Sequence, residues 1–337
     1  MWKVYKWEML YINSLAIIHM ITEQFNIEIP AEMSGYRLDK ALAELFPTYS
    51  RARLQQWNRE GLVLVNDLQL RGKDKLKGGE QVFLTTKLET EVVWKPQPLE
   101  LNLVYEDEDL LVVNKPAGLV VHPGTGNQDN TLVNALLHHA PELNQLPRAG
   151  IIHRLDKDTS GILVVARSLT AHTSLVKQLQ NREFVKKYQA VVGGVMVAGG
   201  TIDAPIGRHH SHRTSMAVTE SGKTAITHYR VIQRYRNHTL VRVQLETGRT
   251  HQIRVHMAYK NYPLLGDSVY GGRLRFPPKC SEEFKNVLRH FPRQALHAEQ
   301  LGFVHPNSGE FVQWTIPLPT DMQNLLVALE EDMKEKA

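Results

Sequence analysis

Cysteine is almost missing from this 337-residue chain, in which Cys280 stands alone. One thiol can form no intrachain disulfide, no CxxC redox pair and no cysteine-rich zinc site, which suits a reducing cytoplasm. Long apolar runs are missing as well. The nearest approach is the N-terminal MWKVYKWEMLYINSLAIIHM, where Glu8, Asn13 and His19 break the apolar stretch and no small-residue cleavage site follows. It is too short to span a bilayer, so no membrane association is expected. Residues 1–21 read as a dispensable extension, with patterned sequence starting just after Met20. Neither GxGxxG nor GxxxxGK[ST] occurs, and strands and helices do not alternate regularly, which argues against a nucleotide-cofactor fold. HExxH is absent too. Histidines gather at His138-His139 and at His209-His210-His212, while His251 and His256 stand five apart, a spacing that does not suit one helical turn. Surface or phosphate-facing histidines fit better than a metal site, and no metal is expected.

Charge of one sign is not in large excess, with 40 Lys and Arg against 35 Asp and Glu, but it is unevenly placed. Residues 36–87 hold ten Lys and Arg against six Asp and Glu, which is +4 of the total +5. A basic module on a near-neutral body points to a polyanion, most simply nucleic acid; the alternative is a charge that only keeps the protein in solution.

Within that module RLDKALAELFP places Leu38, Ala41, Leu42, Leu45 and Phe46 at helical spacing, and Pro47 ends the helix. Ser50 can cap a second helix, SRARLQQWNREG, with Leu54 and Trp57 inward and Gly61 as terminator. A hairpin-like LVLVN follows, turning at Asn66-Asp67. Arg51, Arg53 and Arg59 lie on and around the second helix and can meet a phosphate backbone while its other face stays packed. This order resembles the S4 RNA-binding domain, here over residues 22–90. Residues 91–105, with Pro96 and Pro98, read as a linker. A charged C-terminal tail is expected over 326–337.

The body, residues 106–325, is expected to be α+β on a mainly antiparallel, mixed sheet. Leu110 to Val113 and Leu119 to Val121 read as strands around a Pro116-Ala-Gly118 turn, and TLVNALLHHA and TAHTSLVKQLQNREF read as helices. KKYQAVVGG, THYRVIQRY and TLVRVQLE supply further strands. Between Ile151-Ile152 and the β-branched run Ile162 to Ala166 stand His153, Arg154, Asp156, Lys157 and Asp158. Such charge beside buried structure is either a polar turn or a working site. In LETGRTHQIRVHM a Thr-Gly turn stops a strand, Thr250 can cap a helix, and Gln252 and Arg254 fall in its first turn. An arginine so fixed, put beside Asp156, would hold that carboxylate ionised at the base of a cleft; a structural salt bridge is the plainer alternative. The loop GRHHSHRTS, with Arg208 and Arg213, reads as an RNA contact or a solvated basic loop.

HRLDKDTSG, KKYQAVV and TGRTHQIRVHM, in that order, resemble the RluA family of RNA pseudouridine synthases. VVNKPAGLVVHPG before them, LLGDSVYGG and RQALHAEQLGFVHP after them, and the leading S4-like module extend the resemblance over residues 34–320. The wording of YEDED, RAGIIHRLDKDTSG and LETGRTHQIRVHMA is that of a large-subunit ribosomal RNA synthase.

The resemblance implies an isomerase that modifies uridines of 23S ribosomal RNA in a large-subunit precursor particle, acting as a cytoplasmic monomer without cofactor. It implies that Asp156 serves to break the uridine N1–C1′ bond, by covalent attack or by removal of a ribose proton, so that the base rejoins through C5. It further implies that Tyr188 stacks on the base, that Arg254 pairs with Asp156, and that Arg154 enters the stack as the uridine flips out. Leu296 packs against the base on this reading, and His153 and Arg249 join the substrate-binding set with Arg208 and Arg213. An RNA-binding assembly protein without catalysis would use the same basic module but has no need of Asp156, Tyr188 and Arg254 together. A histidine-dependent metallonuclease would need bound metal.

Overall fold

Alternation and helical spacing both find their partners in the computed structural model, which describes residues 4–8, 20–47, 49, 51–88, 94–124, 127–212 and 215–334. The chain divides into two compact units, Met1–Val93 and Trp94–Ala337.

In the first unit, strands β1 (Val4–Glu8) and β2 (Met20–Glu28) precede helices α1 (Leu38–Leu45) and α2 (Arg51–Arg59), and β3 (Val63–Val65) and β4 (Gln81–Leu88) follow. The sheet order is β1-β2-β4-β3, antiparallel throughout. Leu38 and Leu42 of α1, Leu54 and Trp57 of α2, and Val63, Val82 and Leu84 of the sheet form one buried cluster. Each fully buried Leu or Val contributes about 1.5–3 kcal/mol over its exposed state, which is what holds so small a unit together. After β3 the chain reverses at Asn66 and Asp67 (φ 48° and 63°), with Val65 and Leu68 exchanging backbone hydrogen bonds of 2.8 and 3.0 Å. Asn and Asp tolerate this left-handed turn better than other side chains. Two helices followed by a tight hairpin agree with the S4-like expectation. The expected cap, Ser50, lies outside the described residues.

The second unit contains β5 (Leu103–Glu106), β6 (Leu110–Lys115), α3 (Leu132–His139), β7 (Ser160–Ala166), α4 (Leu169–Gln180), β8 (Val185–Gly193), β9 (Gly200–Asp203), β10 (Ile206–Arg208) and β11 (Met216–Val218). After these come β12 (Ile226–Arg234), β13 (His238–Leu245), α5 (Gln252–Tyr259), α6 (Glu282–His290), β14 (Leu296–Val304), β15 (Phe311–Thr315) and α7 (Thr320–Lys334). The main sheet runs β5-β6-β7-β14-β8-β13-β12-β9, with β15 beside β14. Only the β7–β14 contact is parallel, so the sheet is mixed and mainly antiparallel as expected. Every residue of β7 is buried, which explains its continuous rather than alternating apolar run.

Four expectations change. The N-terminal extension includes β1, which pairs with β2 from Val4↔Gln24 to Glu8↔Met20. Leu119–Val121 is no strand, because the buried Lys115 ammonium draws the carbonyls of Pro116 and Leu119 to itself at 2.8 Å each and leaves a loop. The described part of the expected linker is fixed structure. Asn134 Nδ2 donates to the Lys95 carbonyl, Gln97 N–H donates to the Asn134 carbonyl, and β5 pairs with β6. The expected tail is packed through Lys334, with Leu325 and Leu329 buried one helical turn apart and Asp332 accepting from Arg236 at 2.7 Å. No helix among the described residues is long and apolar enough to cross a membrane.

Candidate active site

The central strands β7, β14, β8 and β13 are neighbours, and their ends and following loops surround a cleft of about 530 Å³. Cavities of about 300–1,000 Å³ hold ligands the size of a nucleotide. Asp156, Arg254, Tyr188, Arg154, Leu296, His153 and Arg249 all line it.

Asp156 sits on the loop entering β7, and that loop is tied down from two sides. Lys115, fully buried, donates to the carbonyl of Lys157 at 2.9 Å as well as to its own turn. Burial pushes its ammonium down to about 7, while Asp158 and Asp156 oppose the shift. From the other side Arg293 donates to the Asp158 carbonyl at 3.2 Å, itself held by Asp321 at 2.6 and 3.0 Å, and Gln294 donates to Thr159 Oγ1 at 3.1 Å. Upstream, Arg148, Ala149 and Gly150 (φ 54°, 51° and 77°) make a left-handed turn. Glycine is required at the last position, since a Cβ there would lie 2.0 Å from the Ala166 carbonyl oxygen.

Arg254 Nη1 donates to Asp156 Oδ2 at 3.1 Å. The guanidinium is aimed by a second carboxylate, Asp267, which takes Nε at 2.7 Å and Nη2 at 2.9 Å in bidentate fashion. Asp267 in turn accepts the backbone N–H groups of Val269 (2.9 Å) and Tyr270 (3.0 Å). Burial opposes charge on both partners, yet their mutual contact raises the Arg254 pKa, with Asp156 adding to it, and lowers that of Asp267. The Tyr270 ring lies 5.0 Å from the guanidinium carbon.

His251, at φ 56° ahead of α5, completes this side. Its Nε2 is 3.9 Å from Asp156 Oδ1 and its Nδ1 is 2.9 Å from Tyr270 Oη. Met216 N–H donates to Tyr270 Oη at 2.9 Å, so the hydroxyl proton is directed to His251 Nδ1 and the imidazole proton sits on Nε2, toward Asp156. Burial lowers the pKa of His251, against the pull of Asp156. The expected Thr250 cap is not used. Gln252 fastens the turn instead, accepting from Thr247 Oγ1 (2.8 Å) and Arg249 N–H (2.9 Å) and donating to the Ile226 carbonyl (3.0 Å).

Tyr188 projects from the middle of β8, opposite Val243 and Ala298, and is 8% exposed. Burial, and secondarily Asp156, raise its phenol pKa, so the ring is neutral. His153 accepts Val164 N–H on Nε2 at 3.1 Å, which leaves the proton on Nδ1. Burial and Lys186 push its pKa down to about 3. Arg154 and Arg148 are exposed on the rim, without partners among the described residues.

Arg208 lies outside the cleft, on β10 opposite Met216, while Arg213 falls outside the described residues. The rings of His209, His210 and His212 pack on one another, with centroids 4.7 and 4.9 Å apart. In the first unit Arg51 and Arg59 are exposed on α2, and Arg53 lies 5.6 Å from the Trp57 ring. Sequence reasoning missed the roles of Asp267, Tyr270, His251, Lys115 and Lys186. Asp267 and Tyr270 stood in LLGDSVYGG, a motif noted for resemblance alone, and Lys186 stood two residues before Tyr188.

Residues 109–259 match the family model described as RNA pseudouridylate synthase. The chain is 54% identical over 305 residues to ribosomal large subunit pseudouridine synthase D of Pseudomonas aeruginosa, covering 90% of this chain and 95% of that protein. It is 51% identical over 313 residues to the protein of the same name from Escherichia coli, covering 93% and 96%. Among solved structures, human RNA pseudouridylate synthase domain containing 4 superposes with a TM-score of 0.54 at 28% identity, over 68% of this chain and 93% of that one. With near-complete coverage of such relatives, and a carboxylate held by an arginine at the floor of the cleft where the family motifs meet, this chain belongs to the RluA family of RNA pseudouridine synthases.

Proposed function

We propose that the protein converts specific uridines of large-subunit (23S) ribosomal RNA to pseudouridine, with Asp156 as the catalytic group. The observation that carries this reading is the Asp156–Arg254–Asp267 arrangement beside the Tyr188 ring in a cleft sized for one nucleotide. Shared by two carboxylates, the guanidinium favours the ionised form of Asp156 and fixes its direction, so the geometry exists before substrate arrives.

A uridine reaches Asp156 only by leaving its stack, and the rim arginine Arg154 fills the place it vacates. The base lies on the Tyr188 face with Leu296 at its edge. The N1–C1′ bond breaks, the base turns, a C5–C1′ bond forms, the C5 proton leaves and N1 acquires one, so composition and oxidation state are unchanged. The protein supplies position and electrostatics, and Arg249 and His153 contribute donors to the cleft wall. Arg51, Arg53 and Arg59 of the S4-like unit, with Arg208 and Arg213, add phosphate contacts. We further propose that the substrate is a large-subunit precursor particle in the cytoplasm and that the enzyme acts as a monomer.

Pseudouridine mapping of large-subunit RNA from cells lacking the protein tests this. Specific pseudouridines should vanish and return with the wild-type gene but not with Asp156→Asn. An unchanged map contradicts the assignment.

A further inference from the structure

Among the described residues the buried lysines and arginines are Lys115, Lys186, Arg254 and Arg293. Lys115 has three carbonyl acceptors, Arg254 two carboxylates, and Arg293 the carboxylate of Asp321. Lys186 is 6% exposed and has no acceptor or counter-charge among the described residues. It lines the cleft, and a Cβ at Gly248 would lie 3.9 Å from its Nζ, so the absent side chain there leaves the ammonium open to what enters. Arg249 follows immediately, with Nε given to the Thr224 carbonyl at 3.0 Å. The cleft's own carboxylates are committed elsewhere, Asp156 to Arg254 and Glu246 to His228 at 2.6 Å and Arg182 at 3.4 Å. Burial and the repulsion of Arg249 bring the ammonium down to about 8, and no carboxylate offsets them.

A buried cation without a partner destabilises the fold and persists where a ligand supplies the missing charge. We propose that Lys186, Arg249 and the Nδ1–H of His153 form a phosphate subsite that takes a phosphodiester of the nucleotide turned into the cleft. Two cations and a neutral N–H donor suit an anionic phosphate with several acceptor oxygens; a uracil carbonyl would need one donor. The location agrees. Lys186 and Tyr188 are two apart on β8 and share a face, about 6.8 Å from each other along the strand. That spacing lets one nucleotide lay its base on the tyrosine and its phosphate at the lysine. The inference rests on uridine isomerisation in this cleft and adds which part of the substrate anchors it.

The test uses the full chain and a large-subunit RNA stem-loop containing a uridine this protein modifies, identified by pseudouridine mapping. Affinity is measured against KCl concentration for the wild type, Lys186→Met, Arg249→Met and the double variant. Each single variant should bind roughly tenfold more weakly, with the slope of log affinity on log salt shallower by about 0.7, and the double variant should flatten it no further because both cations share one phosphate. Lys186→Met should melt at or above the wild-type temperature, since an uncompensated buried charge is removed. In a second arm the same RNA carries a neutral methylphosphonate 5′ or 3′ of the target, with a 2′-O-methyl on the adjoining ribose. One of the two should weaken wild-type binding about tenfold and leave Lys186→Met unaffected. Wild-type affinity retained on both neutral linkages overturns the proposal. So does a Lys186→Met that loses turnover with an unchanged salt slope, which would put the lysine on the base. Tritium release from uridine C5 by the wild type on unmodified RNA is scored alongside; its absence would refute isomerisation itself, independently of Lys186.

Discussion

Asp267 is the residue on which the aim of Arg254 depends, and Asp267→Asn isolates that dependence. The Asp267 side chain is 0% exposed, and its Oδ1 accepts three donors: Arg254 Nη2 (2.9 Å), Val269 N–H (2.9 Å) and Tyr270 N–H (3.0 Å). An asparagine keeps these on its carbonyl oxygen. Its NH2 then faces Arg254 Nε–H, which now lies 2.7 Å from Oδ2, so a charge-assisted bond is replaced by two opposed donors. Breaking a buried pair outright costs about 3–5 kcal/mol, but Arg254 keeps Asp156 as a counter-charge, so about 2–3 kcal/mol is expected. For a unit of this size that lowers the melting temperature by roughly 4–12 °C. Freed of its second anchor, the guanidinium swings from Asp156, and kcat should fall about 10- to 100-fold, or about 1.4–2.7 kcal/mol, with KM little changed. Thermal melts and steady-state kinetics on an RNA substrate read both effects. If kcat stays at the wild-type level while the melting temperature drops, Asp267 is a structural partner only. If neither moves, the reasoning about Arg254 is wrong.

Tyr188→Phe should keep most activity and Tyr188→Ala should lose far more, because the ring face is the working part; equal losses in single-turnover assays would assign the work to the hydroxyl. Arg51→Gln with Arg59→Gln should flatten the salt dependence of RNA binding by about 0.7 for each phosphate contact removed, and an unchanged slope would take α2 out of the interface. His238 and His297, 2% and 1% exposed, are pushed down to about 4 by burial, with Arg293 adding to the effect at His297. The unfolded chain binds protons at these histidines near pH 6.5 that the native chain refuses. Stability present above that pH is therefore lost as pH falls toward 4, at up to about 1.4 kcal/mol per pH unit for each. Urea unfolding midpoints should be level above pH 7 and fall steeply below pH 6; a flat profile from pH 7 to 5 contradicts the burial argument.

The elements with periodic side chains were legible in the sequence, and so were the residues gathered by contiguous motifs. The β-branched run Ile162 to Ala166 is a core strand, and His153 through Asp156 sit beside it because the loop opens on the cleft. What was not legible depended on contacts between distant segments. Asp267 stands 13 positions from Arg254, in a loop whose polar residues look like any turn until the guanidinium is seen between two carboxylates. Proline marked residues 94–102 as extended, but not that Asn134 would hold them. Charged residues near the C-terminus hid the Leu325 and Leu329 spacing that packs α7. A lysine on an alternating strand reads as solvent-facing. That Lys186 points into a cleft follows from the strands on either side of β8.

The most direct measurement of the central claim is release of tritium from RNA labelled at uridine C5, comparing the wild type with Asp156→Asn. That substitution keeps the size of the side chain and its contact with Arg254 but removes the charge. The account predicts RNA binding close to wild type with turnover lower by roughly three orders of magnitude or more, about 4 kcal/mol in the barrier. Release at the wild-type rate would contradict it and return HRLDKDTSG to a charged turn between two strands.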